Sequence, residues 1–401
     1  MTDSAVTIKI NLQQGYKRWK DLLAGCLAHL INDGFSDALY VFFPLWQAQF
    51  GLTFTQVGFF KTLFSGSMAI FQVPSGIFVN RIGEIRLLLI GTTLTCLAVG
   101  LFSWATTPLY LGLLLVLGGL GASVQHPLSS SIISHAYPEV KARRKALSTF
   151  NVAGDIGKMS FAGIAALLIA LFDWPTACQL LSLLGLVMTV VIFTMTRKTQ
   201  RGNQINVTKQ RTTMLLGWKG YQAFWSLSTI GIIDSATRMG FLTFFPFLLK
   251  DKGADIPLIG IALTLIFIGG ATGKLVCGIL ATQFGILRSV IVTETATAVC
   301  IWGMLTLPLT SALILAPILG IALNGTSSVL YGSIPELVSE EKRQQAFAIF
   351  YTATIGAGAI SPSIYGLLSD IVGINTTVSI VALVALATLP LTLLLRGKMV
   401  G

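Results

Sequence analysis

The chain has 401 residues, of which 54% are hydrophobic and 11% are charged, and its formal net charge is +11. So few charged residues cannot cover the surface of a water-soluble globule of this size, which excludes an ordinary soluble protein. The positive charge is concentrated in the connections on one predicted membrane face, so nucleic acid is excluded as the expected partner.

Twelve apolar segments follow one another along the chain, each long enough to cross a bilayer as a helix. A helix rises about 1.5 Å per residue, so roughly 20 apolar residues cross a hydrocarbon layer about 30 Å thick. The predicted spans, numbered 1 to 12, are 22–45, 54–79, 86–106, 109–135, 146–172, 175–196, 221–249, 257–283, 287–308, 311–335, 344–370 and 374–396. The sequence therefore predicts an all-α membrane protein with 12 transmembrane helices.

The orientation follows from Lys and Arg, which are enriched in cytoplasmic connections. With the N-terminus in the cytoplasm, 21 of the 27 cations lie on cytoplasmic segments, and two, Lys250 and Lys252, lie outside. We therefore expect a multi-pass protein of the cell inner membrane with both termini in the cytoplasm. The first span is too long for the apolar core of a cleaved signal peptide.

The chain also contains an internal repeat. The longest polar stretch, 197–219, is predicted to be a cytoplasmic linker between a bundle at 1–196 and a bundle at 220–401. A shift of 202 positions aligns residues 42–86 with 244–288 without a gap, with 12 identities in 45 columns. Glycines account for much of the agreement: Gly51 pairs with Gly253, Gly58 with Gly260, Gly76 with Gly278, and Gly83 with Gly285.

Six spans in each half give the two repeats the same orientation, so an axis along the membrane normal relates them. This arrangement favours a binding site between two similar bundles that rock against each other. The alternative is a duplication that serves only as a scaffold.

Nine ionisable residues lie inside the predicted spans. They are Asp33, Asp37, Asp155, Asp234, Glu294, Lys61, Lys158, Arg238 and Lys274. A charge at the bilayer centre costs on the order of 3 kcal/mol on insertion scales, so we expect these groups to face a hydrated cavity or one another.

In span 1, His29, Asp33 and Asp37 are spaced i, i+4, i+8 and share one helix face. A poorly hydrated cavity favours the protonated form of a carboxyl group, which can then load and release a proton near neutral pH. Asp33 is the first candidate for proton coupling, followed by Asp37 and His29. The alternative is a structural role, in which they hydrogen-bond polar groups of neighbouring helices.

Spans 4 and 5 add further polar candidates. Gln125 and His126 precede a proline in span 4, where His126 is expected either to relay protons, to donate to a substrate, or to brace a bent helix. Asn151, Asp155 and Lys158 share one stripe of span 5. Lys158 is expected either to contact the substrate, to release a proton from Asp155, or to form an internal ion pair with it.

Spans 7 and 10 carry the candidates of the second half. Asp234 and Arg238 are spaced i, i+4 in span 7. The planar guanidinium of Arg238 suits a carboxylate or phosphonate, and Asp234 is expected to hold it when the site is empty or to take part in proton coupling. The alternative is a permanent salt bridge. Asn324 and Tyr331 belong to an uncharged polar stripe of span 10.

Three remaining groups lie nearer the ends or the periphery of the predicted bundles. Lys61 of span 2 is a substrate-binding candidate, although both Lys61 and Lys274 could extend their ammonium groups toward the nearer interface. Glu294 of span 9 is expected to contact Arg288. The five cysteines show no paired spacing, so neither disulfides nor a metal site are expected.

The connection between spans 2 and 3, residues 76–86, resembles the G-x-x-x-D-R-x-G-R-R/K signature of the major facilitator superfamily. The matching positions are Gly76, Arg81, Gly83 and Arg86. Asn80 stands where the family has Asp, and Glu84 stands where it has a cation. The resemblance implies a loop that stabilises one gated state through a charge contact, with Asn80 left to cap span 3.

Four further stretches resemble the fosmidomycin-resistance group of that superfamily: 29–33, 118–127, 148–157 and 361–370. The resemblance implies a major facilitator fold with two pseudo-symmetric six-helix bundles, in which spans 1, 4, 7 and 10 line the cavity. It implies proton-driven export of a small organic anion or drug by alternating access, in a single chain. Uptake by a symporter or facilitator, and movement of an amphipathic lipid, are the alternatives. Because no catalytic constellation is found, we expect neither an enzyme nor a cofactor.

Overall fold

The computed structural model describes residues 2–197, 222–338 and 343–395, without the side chains of 2–14, 73, 75–77, 80 and 344. Fourteen helices occupy these ranges: α1 Thr2–Phe50, α2 Phe54–Ile82, α3 Glu84–Phe102, α4 Pro108–Ala122, α5 Gln125–Ala136, α6 Val140–Leu171, α7 Trp174–Thr196, α8 Gln222–Asp251, α9 Ile256–Phe284, α10 Ile286–Thr306, α11 Leu309–Leu337, α12 Arg343–Val372, α13 Ile374–Leu386 and α14 Thr388–Leu393. Nearly all of the predicted linker lies outside the described residues.

Each predicted span corresponds to a helix or to a pair of helices. Ten helical segments within the described ranges are long and apolar enough to cross a membrane, and α1 and α2 cover the first two predicted spans. Span 4 consists of α4 and α5, which are separated at Ser123 and Val124, and span 12 consists of α13 and α14. The prediction of an all-α protein with twelve spans is confirmed.

Side-chain caps begin three of the helices. Thr107 accepts a hydrogen bond from the Tyr110 amide at 3.3 Å, Asp173 from the Thr176 amide at 2.7 Å, and Asp255 from the Leu258 amide at 3.0 Å. A proline follows each cap in the first turn, where its missing N–H leaves no intrahelical bond unmade. The hydrogen bonds from Thr176 hold the pKa of Asp173, which lies between α6 and α7, below its usual value.

Four glycines give the two halves the same backbone turns. Gly51 and Gly253, which pair in the sequence repeat, have φ angles of 63° and 86°. Gly83 and Gly285, which also pair, have φ angles of 89° and 81°. Because residues with a Cβ atom rarely adopt positive φ, glycine at these helix ends is a structural requirement that both halves share.

The described chain divides into two compact units. The first comprises 1–38, 67–161 and 171–207, and the second comprises 39–66, 162–170 and 208–401. Residues 39–66 and 162–170 thus group with the C-terminal helices. The predicted bundles, 1–196 and 220–401, are divided differently and stay a prediction.

Within the second unit, the start of α2 is fastened to α12. The Asp370 carboxylate of α12 accepts hydrogen bonds from the Phe54 and Thr55 amides, both at 2.8 Å, and from the Thr55 hydroxyl at 2.6 Å. A Cβ atom on Gly58 would collide with the carbonyl group of Pro362. A carboxylate at the N-terminus of a helix and close backbone packing therefore hold these two helices together.

Candidate functional site

Three helices of the first unit bring their polar side chains together around Asp33. This Asp33 cluster consists of His29, Asp33 and Asp37 of α1, His126 of α5 and Lys158 of α6. The Asp33 carboxylate lies 3.2 Å from His29 Nε2, 3.4 Å from Lys158 Nζ and 3.5 Å from His126 Nε2. Lys158 Nζ also lies 3.9 Å from Asp37 Oδ2, so one ammonium group serves two carboxylates.

Two glycines of α6 allow this approach. A Cβ atom on Gly154 would collide with the His29 ring, and one on Gly157 would collide with the Leu30 carbonyl. Glycine at both positions therefore lets the backbone of α6 pack directly on α1. This close packing places Lys158 within reach of Asp33.

The hydrogen position on His29 follows from its partners. His29 Nδ1 lies 2.8 Å from the Phe150 carbonyl oxygen, which can only accept, so Nδ1 carries a hydrogen. His29 Nε2 then faces Asp33 Oδ2 at 3.2 Å. Two lone pairs at this distance would repel each other, so a proton belongs between them, on either the imidazole or the carboxyl group. The His29–Asp33 pair is therefore a place where one proton can be held.

The Asp33 cluster is buried on one side and open on the other. The side chain of Asp33 is 12% exposed, whereas those of Lys158 and His126 are 31% and 39% exposed. A solute can thus reach the ammonium and an imidazole while the carboxylates stay shielded. The arrangement suits binding of an anion beside a protonatable acid.

The other predicted residues of spans 4 and 5 are placed around this cluster. The break at Ser123 and Val124 puts His126 in the first turn of α5, where a bend of one continuous helix was expected. Gln125 is buried and donates a hydrogen bond to the Thr92 hydroxyl of α3. Asn151 is exposed, and Asp155 is buried. The pairing of Lys158 with α1 was not predicted from the sequence.

Three side chains of the Asp33 cluster, those of His29, Asp33 and His126, are of types that bind metal ions. The sequence did not predict a metal site. Ligand atoms of His29, Asp33 and His126 all lie within 4.8 Å of one another. The Nδ1–H group of His29 donates a hydrogen bond to the Phe150 carbonyl oxygen, as the second ring nitrogen of metal-binding histidines commonly does. However, the Lys158 ammonium lies 3.4 Å from the same carboxylate and supplies the positive charge there.

A second polar group lies in the second unit. Asp234 in α8 and Glu294 in α10 are both buried. Among the described residues no ion pair joins Asp234 to Arg238, so the permanent salt bridge that was the alternative for this pair is not seen. No ion pair joins Glu294 to Arg288 among the described residues either, since Glu294 is buried and Arg288 is exposed. Arg238 Nε is buried without a hydrogen-bond partner among the described residues.

Lys61 is fully buried, contrary to the expectation that its ammonium group could extend to the interface. Its Nζ atom lies 4.3 Å from the centroid of the Tyr40 ring, a cation–π contact. The Tyr40 hydroxyl in turn donates to Met239 Sδ at 3.7 Å. Tyr40 was not predicted as a site residue, because an aromatic residue in an apolar span gives no sign of its partner.

The polar stripe of span 10 is partly engaged in packing. Asn324 donates a hydrogen bond to the Gly320 carbonyl of its own helix at 3.2 Å. The Tyr331 ring lies 4.7 Å from the rings of both Phe347 and Tyr351 of α12. Tyr331 is the more exposed of the two predicted residues.

The connection between α2 and α3 is held by Glu84, one of the two residues that depart from the family signature. Glu84 accepts a hydrogen bond from the Ser131 hydroxyl and lies 3.8 Å from His135 Nδ1, both on α5. A charged contact from this loop is therefore present, but it is made through Glu84. Arg81 is exposed, and the side chain of Asn80, which was predicted to cap span 3, falls outside the described residues.

Comparisons with known proteins agree with this architecture. The model of the Major Facilitator Superfamily matches residues 25–228 and 227–399. The Fosmidomycin resistance protein of Escherichia coli is 24% identical over 369 residues, covering 90% of this chain and 89% of that protein. The Hexuronate transporter of Bacillus subtilis is 24% identical over 382 residues, covering 86% and 87%.

A solved structure shows the same fold. The crystal structure of a bacterial homologue of the human lysosomal transporter Spinster, in an inward-facing and occupied conformation, matches with a TM-score of 0.78. The match covers 95% of this chain and 98% of that chain at 17% identity. The chain therefore belongs to the Major Facilitator Superfamily and is a secondary transporter of small molecules with twelve membrane spans.

Proposed function

We propose that this transporter couples the movement of a small organic anion to a proton held by the Asp33 cluster. The observation that carries the proposal is the position of Lys158, 3.4 Å from Asp33 and 3.9 Å from Asp37, with its side chain 31% exposed. An anion that enters competes with these carboxylates for one ammonium group. Arg238, in the second unit, is a further anion-binding candidate because its Nε atom has no partner among the described residues.

The proposed coupling between proton and anion follows from the charges of Asp33 and Lys158. Protonation of Asp33 removes one of the two carboxylates that share Lys158, so the ammonium becomes available to the substrate. By linkage, a bound anion then favours the protonated form of Asp33 to the same extent. Proton and anion therefore assist each other at this cluster. Its geometry supports cotransport of the two, which corresponds to uptake by a symporter.

Proton-coupled antiport, in which the anion is exported as a proton enters, is the second candidate. It is supported by the similarity to the Fosmidomycin resistance protein, whose name describes resistance to a drug. In an antiporter, substrate and proton occupy the cluster in alternate steps. The two functions use the same residues and differ in the direction in which protons move relative to the substrate.

The proposed orientation keeps both termini in the cytoplasm, because 21 of the 27 Lys and Arg residues then lie on the cytoplasmic side. The similarity to an E. coli protein supports the bacterial inner membrane as the location. We expect a single chain to be sufficient for transport.

The sign of the proton movement tests the proposal. The purified chain in proteoliposomes, loaded with a phosphonate or a hexuronate and an internal pH dye, is diluted into substrate-free buffer. Cotransport predicts that the interior becomes more alkaline as anion and proton leave together. Antiport predicts that the interior becomes more acidic.

Protein-free vesicles with the same contents give the background leak. Substrate efflux with no pH change beyond that leak would contradict proton coupling in either direction. It would favour a facilitator.

A further inference from the structure

Three side chains of the Asp33 cluster present ligand atoms at the spacing that a transition-metal ion requires. His29 Nε2 lies 3.2 Å from Asp33 Oδ2, and His126 Nε2 lies 3.5 Å from Asp33 Oδ1. Zinc bonds of about 2.0–2.2 Å to nitrogen and oxygen, in tetrahedral geometry, put neighbouring ligand atoms about 3.3 Å apart. The two observed distances therefore match two edges of such a site.

The third edge of the site, between the two histidines, needs only a small adjustment. The ligand atoms of all three residues lie within 4.8 Å of one another, so this edge has to shorten by at most about 1.5 Å to reach tetrahedral spacing. His126 has room to move, because its side chain is 39% exposed and it lies in the first turn of α5, beside the break at Ser123 and Val124. A metal ion held by the three groups keeps a fourth position for water or a solute.

Neighbouring groups already orient these three side chains. His29 Nδ1 donates to the Phe150 carbonyl oxygen at 2.8 Å, and the Phe150 ring stacks on the imidazole with centroids 4.0 Å apart. The buried Asn32 amide donates to Asp33 Oδ1 at 3.2 Å and lies 3.4 Å from His126 Nε2. Outer contacts of this kind fix the orientation of metal ligands and raise the affinity for the ion.

Lys158 is the group that a metal ion has to displace. Its ammonium lies 3.4 Å from Asp33 Oδ2, where a bound dication would repel it. The Lys158 side chain is 31% exposed, and Asp37 lies 3.9 Å from the same ammonium, so Lys158 can turn away from Asp33 and keep a carboxylate partner. The proton held between His29 and Asp33 is released as well, because metal ligands bind in their deprotonated form. Metal binding and the ion pair of Lys158 with Asp33 therefore exclude each other.

We propose that His29, Asp33 and His126 form a binding site for a divalent transition-metal ion such as Zn²⁺, which replaces Lys158 at the Asp33 carboxylate. Two imidazoles and one carboxylate suit Zn²⁺ and its neighbours, whereas Mg²⁺ and Ca²⁺ prefer oxygen ligands alone. Binding of the metal does not depend on the function proposed above. Zinc is also expected to inhibit transport, because it occupies the acid that holds the proton, and this consequence alone rests on that function.

Titration with Co²⁺ tests the site in the purified chain, in detergent at neutral pH, without an affinity tag and without substrate. Co²⁺ substitutes for Zn²⁺, and its visible absorption bands report a four-coordinate site. The native chain is expected to develop these bands with about one Co²⁺ per chain, and Zn²⁺ is expected to abolish them, because it binds such ligands more tightly than Co²⁺. Lys158→Met is expected to bind Co²⁺ about tenfold more tightly or better, because the repulsion between ammonium and dication is lost.

Variants of the ligands show where the metal binds. Asp33→Asn and His126→Ala are each expected to lose the four-coordinate bands. His126 is the more exposed of these two side chains, so His126→Ala gives the answer where Asp33→Asn does not fold, as judged by size-exclusion chromatography. His135→Gln replaces an exposed histidine of the same helix and is expected to keep the bands.

Three outcomes would overturn the proposal. One is absence of the four-coordinate bands in the native chain, whatever Lys158→Met shows. Another is retention of the bands in Asp33→Asn and His126→Ala. The third is loss of the bands in His135→Gln, which would place the metal beside Glu84. A native chain that binds Co²⁺ but transports at an unchanged rate in saturating Zn²⁺ would support the metal site and contradict the function proposed for the Asp33 cluster.

Discussion

Replacement of Lys158 by methionine is expected to destabilise the protein by about 3 kcal/mol, the lower end of the range for breaking a buried charge pair. Methionine keeps much of the side-chain volume but removes the ammonium that lies 3.4 Å from Asp33 and 3.9 Å from Asp37. The two carboxylates then lose their shared counter-charge. Thermal unfolding in detergent micelles should show a lower midpoint than for the native chain.

A second substitution should reverse part of this loss. In the double variant Lys158→Met with Asp33→Asn, the amide no longer needs a cation, so its unfolding midpoint should exceed that of Lys158→Met alone. The exposed Lys145→Met, on the same helix, should change stability by no more than about 0.5 kcal/mol. Equal midpoints for Lys158→Met and Lys145→Met would contradict the central role of Lys158.

Replacement of Arg238 by glutamine is expected to weaken the binding of an anionic substrate by about 30-fold or more, which corresponds to about 2 kcal/mol or above for loss of a buried charge contact. The guanidinium offers two parallel N–H donors to a carboxylate or phosphonate, and its Nε atom is buried without a partner among the described residues. The substrate concentration that gives half-maximal transport in proteoliposomes measures the effect.

Two matched variants separate charge from geometry at this position. Arg238→Lys keeps the positive charge but loses the planar pair of donors, so its half-saturating concentration should lie between those of the native chain and Arg238→Gln. The exposed Arg288→Gln should behave like the native chain. An unchanged half-saturating concentration in Arg238→Gln would remove Arg238 from the substrate site.

The spans and the polar face of α1 could be predicted because each depends on one segment alone. Length and composition define a membrane helix, and a spacing of i, i+4, i+8 puts His29, Asp33 and Asp37 on one face whatever lies opposite. The repeat also aligned Gly51 with Gly253 before their backbone conformations were known. Gly51 and Gly253 both have positive φ because both end the same kind of helix.

Contacts between helices could not be predicted in the same way. Lys158 reaches Asp33 only because Gly154 and Gly157 bring α6 against α1, and a single sequence does not say which helix a small residue faces. Glu294 was placed at the periphery from its span number, although its side chain is buried. A polar residue in an apolar span indicates that a partner exists, but not which one.

The most direct test of proton coupling compares two transport modes in the same proteoliposomes. Substrate exchange at equal pH requires only binding and alternating access, whereas accumulation driven by a pH gradient also requires a proton to move with the cycle. Asp33→Asn is expected to retain exchange and lose gradient-driven accumulation. Asp173→Asn, an exposed acid replaced by an equally good helix cap, should retain both. Gradient-driven accumulation by Asp33→Asn at the native level would contradict proton coupling through the Asp33 cluster.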